Sequence, residues 1–260
     1  MSVRMDNRVV VKVGSNVLTR EGGKLDITRM SSLVDQIAWM RARGYEVILV
    51  SSGAVACGRS ELCVDHELDS VEQRQLYSAV GQVKLVNLYY SLFREHGISV
   101  GQVLTMKENF QPGEQYDNQR ACMEVMLQNG VVPVVNENDT VCVTELMFTD
   151  NDELSGLIAG MMGAGRLILL SNIDGLYDGN PLDPTSRLVR TVCPGDEPGR
   201  FVLSSKSSRG RGGMSSKCHT AMTVARSGID VVIANGLREN ILPSLLDRPG
   251  ETPHTHFIAS

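Results

Sequence analysis

Residues 9–16 read VVVKVGSN. The run is β-branched, continuous and too short for a helix of ordinary length. Apolar residues on both parities predict a strand covered on both faces, as in parallel sheets. Gly14-Ser15 then marks a turn. Lys12 is the anomaly, because a lysine in such a run is costly unless its charge meets a partner. It either snorkels out at the strand end or is aimed at an anion held by the Gly14-Ser15 turn.

The same signature recurs along the chain. Residues 47–50 (VILV), 100–104, 131–135 (VVPVV), 167–170 (LILL) and 230–234 (DVVIA) are further strands. Helical spacing lies between them. Asp26 caps a helix whose Ile27, Met30, Val34, Ile37 and Met40 repeat until Gly44. Residues 70–95 are helical, with a break or a close contact at Gly81. Helices also cover 117–129, 152–162 and 215–227, the first of these ending at Gly130 and the last at Gly228. Residues 136–150 suggest a short hairpin, and the Pro-, Gly- and Asp-rich 178–200 a loop excursion. This alternation predicts an α/β protein, a three-layer αβα sandwich with a mainly parallel central sheet. Ligands of such sheets bind beyond the C-terminal ends of the strands.

Composition narrows the function. The 260 residues are 42% apolar and 21% charged, with a formal net charge of −5. That suits one large globular domain or two small ones, able to bury roughly 70–75% of the unfolded surface, and no linker divides the chain clearly. Basic residues are scattered, so no nucleic-acid partner is expected. The first residues hold no signal-peptide stretch, and no apolar run nears the ~20 residues of a membrane span. The six cysteines form no C-x-x-C pair, which fits reduced thiols and a cytoplasmic location.

The strand ends carry the polar residues. The second strand runs into Ser51-Ser52-Gly53-Ala54, where small residues let a ligand approach the backbone. The fourth ends in Asn136-Glu137-Asn138-Asp139, and Asp150-Asn151-Asp152-Glu153 precedes a helix. Turn chemistry and N-capping account for such clusters as readily as binding does. They do not fit a calcium loop, because Leu154 stands where an acidic or amide ligand is required. Residues 168–181 (ILLSNIDGLYDGNP) suit a nucleotide's base and ribose. Residues 210–217 (GRGGMSSK) match neither a Walker A loop nor a dinucleotide fingerprint. Gly212-Gly213 can still present consecutive N–H groups, with Ser215 or Ser216 capping the helix and Lys217 in its first turn.

Together these segments resemble the amino acid kinase family, in its glutamate-phosphorylating branch, over nearly the whole chain. The segments are VVVKVGSNVLT, ILVSSGAVACG, SAVGQVKLVNLY, VVPVVNENDTV, DNDELSGLIAG, ILLSNIDGLYDGNP and GRGGMSSK. The resemblance implies ATP-dependent phosphorylation of the γ-carboxylate of L-glutamate, the first step of proline biosynthesis. It implies that Lys12 and Lys217 reach the transferring phosphoryl group and that Asp152 orients both. It places glutamate at Ser52, Gly53, Asp139, Asp150 and Asn151. It places ATP at Lys12, Gly14, Ser171, Asn172, Arg211, Gly212, Gly213, Met214, Ser215, Ser216 and Lys217, with Mg2+ carried mainly by the nucleotide. One kinase domain over 1–260 is expected, glutamate-binding to about 165 and ATP-binding from 166, without the C-terminal PUA module of many bacterial members. Proline as a feedback inhibitor and a homo-oligomer, dimer or tetramer, are implied too.

Three positions depart from the family pattern: Ser171-Asn172 replaces Thr-Asp, Thr149 replaces Gly, and Met147 replaces a Lys common in bacterial members. Other enzymes of the family, acting on acetylglutamate or isopentenyl phosphate, are alternatives. So is a catalytically silent nucleotide or amino-acid sensor, although a sensor has no need of Lys12, Asp152 and Lys217 together.

Overall fold

A computed structural model describes residues 5–20, 23–142, 148, 150–196 and 213–260. The opening valine run is the end of strand β1 (Met5–Val13), which lies inside an eight-stranded sheet. The other strands are β2 (Glu46–Ser51), β3 (Val100–Thr105), β4 (Val132–Glu137), β5 (Ala164–Ser171), β6 (Thr191–Val192), β7 (Asp230–Asn235) and β8 (His254–Phe257). Their order is β3-β4-β2-β1-β5-β7-β8-β6. Pairing is parallel except between β7 and β8. The helices are α1 (Ser15–Leu18), α2 (Ile27–Ala42), α3 (Ala54–Glu61), α4 (Ser70–Arg94), α5 (Glu114–Gln128), α6 (Asn151–Met161), α7 (Met214–Arg226) and α8 (Ile241–Asp247).

Side chains of β1 alternate between two cores. Val9, Val11 and Val13 pack with residues of α2, α4 and α8, while Val10 packs with residues of α5, α6 and α7. The three-layer αβα architecture follows, with a core on each face of the sheet. Because successive strand residues point to opposite faces, Lys12 shares the face of Val10. Its side chain therefore leaves the sheet toward α6 and α7.

Chain direction sets the location of the site. From β1 the chain moves to β2 on one side, and it later fills β5 and β7 on the other. The carboxyl ends of β1 and β5 thus flank a topological switch point, the usual place for a ligand crevice.

Every β-branched run read from the sequence is a strand. The helix at 70–95 runs unbroken, and Gly81 is a close contact: a Cβ there would lie 1.8 Å from the Ala54 carbonyl oxygen. Asp26 caps α2 by accepting from the Arg29 amide. The helix expected at 117 starts at Glu114. Of the expected hairpin at 136–150, Asp139–Val141 forms a turn, and 143–147 and 149 lie outside the described residues. The loop excursion holds β6 and a bridge between Tyr177 and Leu188. The expected cap of α7 needs correction: Gly213 is its N-cap, with no side-chain cap, and Ser215 and Ser216 lie inside the first turn. The cysteines of the described residues are free thiols. Among those residues, no helix is long and apolar enough to cross a membrane.

Candidate active site

Three elements meet at one buried carboxylate. Asp152, in the first turn of α6, is fully buried, and Lys12 and Lys217 are nearly so. Lys12 Nζ lies 2.6 Å from Asp152 Oδ1, and Lys217 Nζ donates to Asp152 Oδ2 at 2.8 Å. Burial pushes the Asp152 carboxyl up, but the two ammonium groups outweigh it and hold the pKa below the ordinary carboxylate range. Burial dominates at Lys12 and lowers its pKa, against the pull of Asp152. Two cations thus meet on one carboxylate at the mouth of β1, and Asp150 adds a second, weaker pull on Lys12. Gly14 keeps this corner open, since a Cβ there would come within 3.4 Å of Lys12 Nζ.

The first turns of α6 and α7 are tied a second time. Asp150 caps α6, its Oδ1 accepting from the amides of Asp152 and Glu153. Its Oδ2 accepts from the Ser216 hydroxyl at 2.5 Å. Consecutive residues Ser216 and Lys217 therefore grip Asp150 and Asp152. Asn151 turns the other way. Its amide donates to Ser52 Oγ at 2.9 Å and to Asn136 Oδ1 at 3.0 Å, and Asn136 donates to Gln82 Oε1 at 3.0 Å. Gly53, at φ 109°, is the left-handed residue that turns β2 into α3.

The wall beside Asn136 is acidic and clamped. Arg74 of α4 donates to Asp139 Oδ1 at 2.6 Å and to Glu137 Oε2 at 2.5 Å. Glu137 Oε1 accepts from the Phe148 amide at 3.0 Å. On the opposite wall, the end of β5 brings Ser171 and Asn172 to the cleft, with Gly213 and Met214 of α7. Asp174, next along the chain from Ile173 of that wall, binds Arg238 through two hydrogen bonds of 2.7 Å and accepts a third from Asn235. The cleft encloses about 780 Å³, ample for a small substrate with a nucleotide phosphate tail.

The structure brings Lys12, Gly14, Ser52, Gly53, Asp139, Asp150, Asn151, Asp152, Ser171, Asn172, Gly213, Met214 and Lys217 to this cleft. Ser216 reaches it through Asp150, and Ser215 is exposed on the first turn of α7. Arg211, Gly212, Met147 and Thr149 lie outside the described residues. Sequence reasoning marked Asn136 and Glu137 as part of an acidic, amide-rich cluster without giving either a place in the site, and it missed Arg74 and the Ser216–Asp150 contact. A signal for Arg74 existed: it precedes the buried Ser78, Gly81, Gln82 and Leu85 at helical spacing, so a charge stands on the buried face of α4.

An αβα sandwich with a charged cleft at its switch point is a fold that several kinases share. Residues 7–235 match the Amino acid kinase family, and the chain belongs to that family. The carbamate kinase from Giardia lamblia bound to AMP-PNP has the same fold, with a TM-score of 0.68 at 16% identity, covering 98% of this chain and 99% of that one. Among curated relatives, the similarity is to glutamate 5-kinases. That of Bacteroides thetaiotaomicron is 62% identical over 97% of this chain and 70% of its own length. That of Chlorobaculum tepidum is 46% identical over 97% of this chain and 69% of its own length.

Proposed function

We propose that the chain is a glutamate 5-kinase: it transfers the γ-phosphoryl group of ATP to the γ-carboxylate of L-glutamate, giving L-glutamyl 5-phosphate. The observation that carries this reading is the pair of buried lysines on Asp152, in a chain 62% identical to a glutamate 5-kinase. A γ-carboxylate oxygen forms the new bond to phosphorus, the bond from phosphorus to the bridging oxygen breaks, and ADP leaves with that electron pair. The carboxylate is already anionic at pH 7, so no proton has to be removed. The obstacle is an anion approaching a polyanion, and catalysis is positioning plus charge neutralisation.

Lys12 meets the γ-phosphoryl group and the attacking oxygen. Lys217 meets the nucleotide phosphates, helped by the amide groups opening α7. Asp152 holds both ammonium groups in place. The α-carboxylate of glutamate suits Ser52 and nearby backbone donors, and its ammonium the acidic wall at Asp139. Mg2+ would be carried mainly by the nucleotide and would supply neutralisation of its phosphate charge, while Asp150, Asp152, Glu137 and Asp139 each already meet protein donors. On this division, residues to about 165 bind glutamate and those from 166 bind ATP.

The test is ADP release with Mg-ATP and glutamate, aspartate or N-acetylglutamate, with hydroxylamine trapping of the acyl phosphate. Glutamate-dependent ADP release with a trapped hydroxamate is expected. No turnover with glutamate overturns the reading. A cytoplasmic setting, feedback inhibition by proline and a dimer or tetramer belong to the same reading. Proline titration of the rate and light scattering test the last two.

A further inference from the structure

Arg74 stands on α4, an element assigned no part in the chemistry, yet it borders the cleft. Its side chain is 15% exposed, and those of Glu137 and Asp139 are 5% and 9% exposed. Two carboxylates so near and so buried repel each other and would not both stay ionised without a cation between them. Arg74 is that cation, binding both. Glu137 is held from its other oxygen by the Phe148 amide, so the arrangement is fixed on two sides. Two carboxylates against one guanidinium leave one negative charge over. At the other end of the cleft stand the two ammonium groups of Lys12 and Lys217, on Asp152 and with Asp150 near by. The cleft is therefore polar from end to end, and so is an amino acid with an ammonium group at one end and a side-chain carboxylate at the other.

We propose that Arg74 is a positioning residue for the amino-acid substrate: it binds Glu137 and Asp139 into one unit whose surplus negative charge receives the substrate ammonium. The inference rests on the glutamate reading above, and adds Glu137 and Arg74 to the recognition of that substrate. It explains why a cation lines the wall that must attract another cation: burial raises both carboxyls, and Arg74 pulls both back toward the ionised form. Among the described residues, the groups facing Glu137 are Arg74 from α4, Asp139 two residues on, the Phe148 amide and the Cys142 thiol. Burial is the largest influence on Glu137 and lifts its carboxyl to about 7, with Arg74 pulling down and Asp139 pushing up. Below that pH the unit gains a proton and loses its surplus charge.

The experiment compares kcat and KM for glutamate and for ATP in wild type, Arg74→Lys, Arg74→Gln and Glu137→Gln, from pH 6 to 9, with thermal melts. In wild type, KM for glutamate is expected to rise as pH falls below about 7. Arg74→Gln should raise KM for glutamate by roughly 10–100-fold, the worth of a charge-assisted contact, with little change in KM for ATP. It should also move the acid limb to higher pH, and Arg74→Lys should restore most of both. Should Arg74→Gln fail to fold, Glu137→Gln decides alone: it should raise KM for glutamate and erase the acid limb. An active wild type with unchanged glutamate KM and pH profile in these variants overturns this inference alone. So does an equal rise in both KM values with a lowered melting temperature. A wild type without glutamate turnover overturns the functional reading, and this inference with it.

Discussion

Asp152 holds two buried cations with one carboxylate, and each partner has a different consequence when removed. Lys217→Ala should lower kcat by roughly 10²–10³, comparable to losing one transition-state donor, with little change in KM for glutamate. Steady-state kinetics check this, and near-wild-type turnover would remove Lys217 from the mechanism. Asp152→Asn instead leaves two ammonium groups facing each other in a buried corner, at a cost of about 3–5 kcal/mol. The pH sign follows from the depressed carboxyl of Asp152. Its contribution to stability is complete above the unfolded pKa of about 3.9. It is lost as pH falls through the lower folded value. Acid unfolding followed by circular dichroism should be less steep in Asp152→Asn than in wild type, once the lower starting stability is allowed for. Asp150 is a separate case, because both its oxygens are occupied by the α6 cap and by Ser216. Asp150→Ala should therefore lower kcat as well as raise KM for glutamate, since α6 also carries Asp152. Ser216→Ala keeps the cap and loses only the tie between helices, and a kcat drop of roughly tenfold is expected. Unchanged kcat in Ser216→Ala would restrict Asp150 to capping and substrate contact.

Between elements, the crossing of α3 and α4 sets the shape of the glutamate side. The helices touch through Gly58 and Gly81: a Cβ on Gly58 would lie 1.9 Å from the Tyr77 carbonyl oxygen, and one on Gly81 1.8 Å from that of Ala54. Both obstacles are backbone, so neither can turn aside. Gly81→Ala should push α3 away from α4 and destabilise by about 3 kcal/mol. That lowers the melting temperature by roughly 6–12 °C, and it weakens glutamate binding because α3 follows Ser52-Gly53. A melt and a glutamate KM check both, and an unchanged melt would mean that the contact yields freely. The same elements show what the sequence could and could not say. Strands β1, β2, β4, β5 and β7 are legible because their residues are buried on both faces and read as unbroken apolar runs. Strand β8, HTHF, pairs near the sheet edge and offers no such run. Helix α8 hides behind Pro243, which is tolerated only because it falls in the first turn. At the site, Lys12 and Asp152 announce themselves as charges at the end of an apolar strand and the start of a helix. Arg74 is legible only as a charge on the buried face of α4, and its partners are not, nor is the Ser216–Asp150 contact, because these pairings depend on helix faces brought together from distant parts of the chain.

For the whole molecule, the two ends of the sheet divide the labour. The carboxyl end of β1 carries Lys12 and the cleft. Four residues back, roughly 13 Å along the strand, Arg8 closes the opposite end. It is 2% exposed, and donates to Glu46 of β2, to both oxygens of Glu124 of α5, and to the Met162 carbonyl at the end of α6. One guanidinium thus joins a strand and two helices, and of these β2 leads into Ser52 and α6 carries Asp152 at the active site. Burial opposes its charge, but the two glutamates more than offset this and raise its pKa above the ordinary arginine value. Arg8→Met keeps most of the side-chain volume while leaving both acids without their cation. It should destabilise by about 3–5 kcal/mol, lowering the melting temperature by roughly 6–20 °C. Stability and recognition are expected to separate here, since the partners of Arg8 among the described residues, Glu46, Glu124 and Met162, do not line the cleft. At temperatures well below the transition, both KM values should match wild type. A changed glutamate KM in a variant that melts like wild type would mean that the far end of the sheet governs the register of β1 against β2, and through it the distance from Lys12 to Ser52.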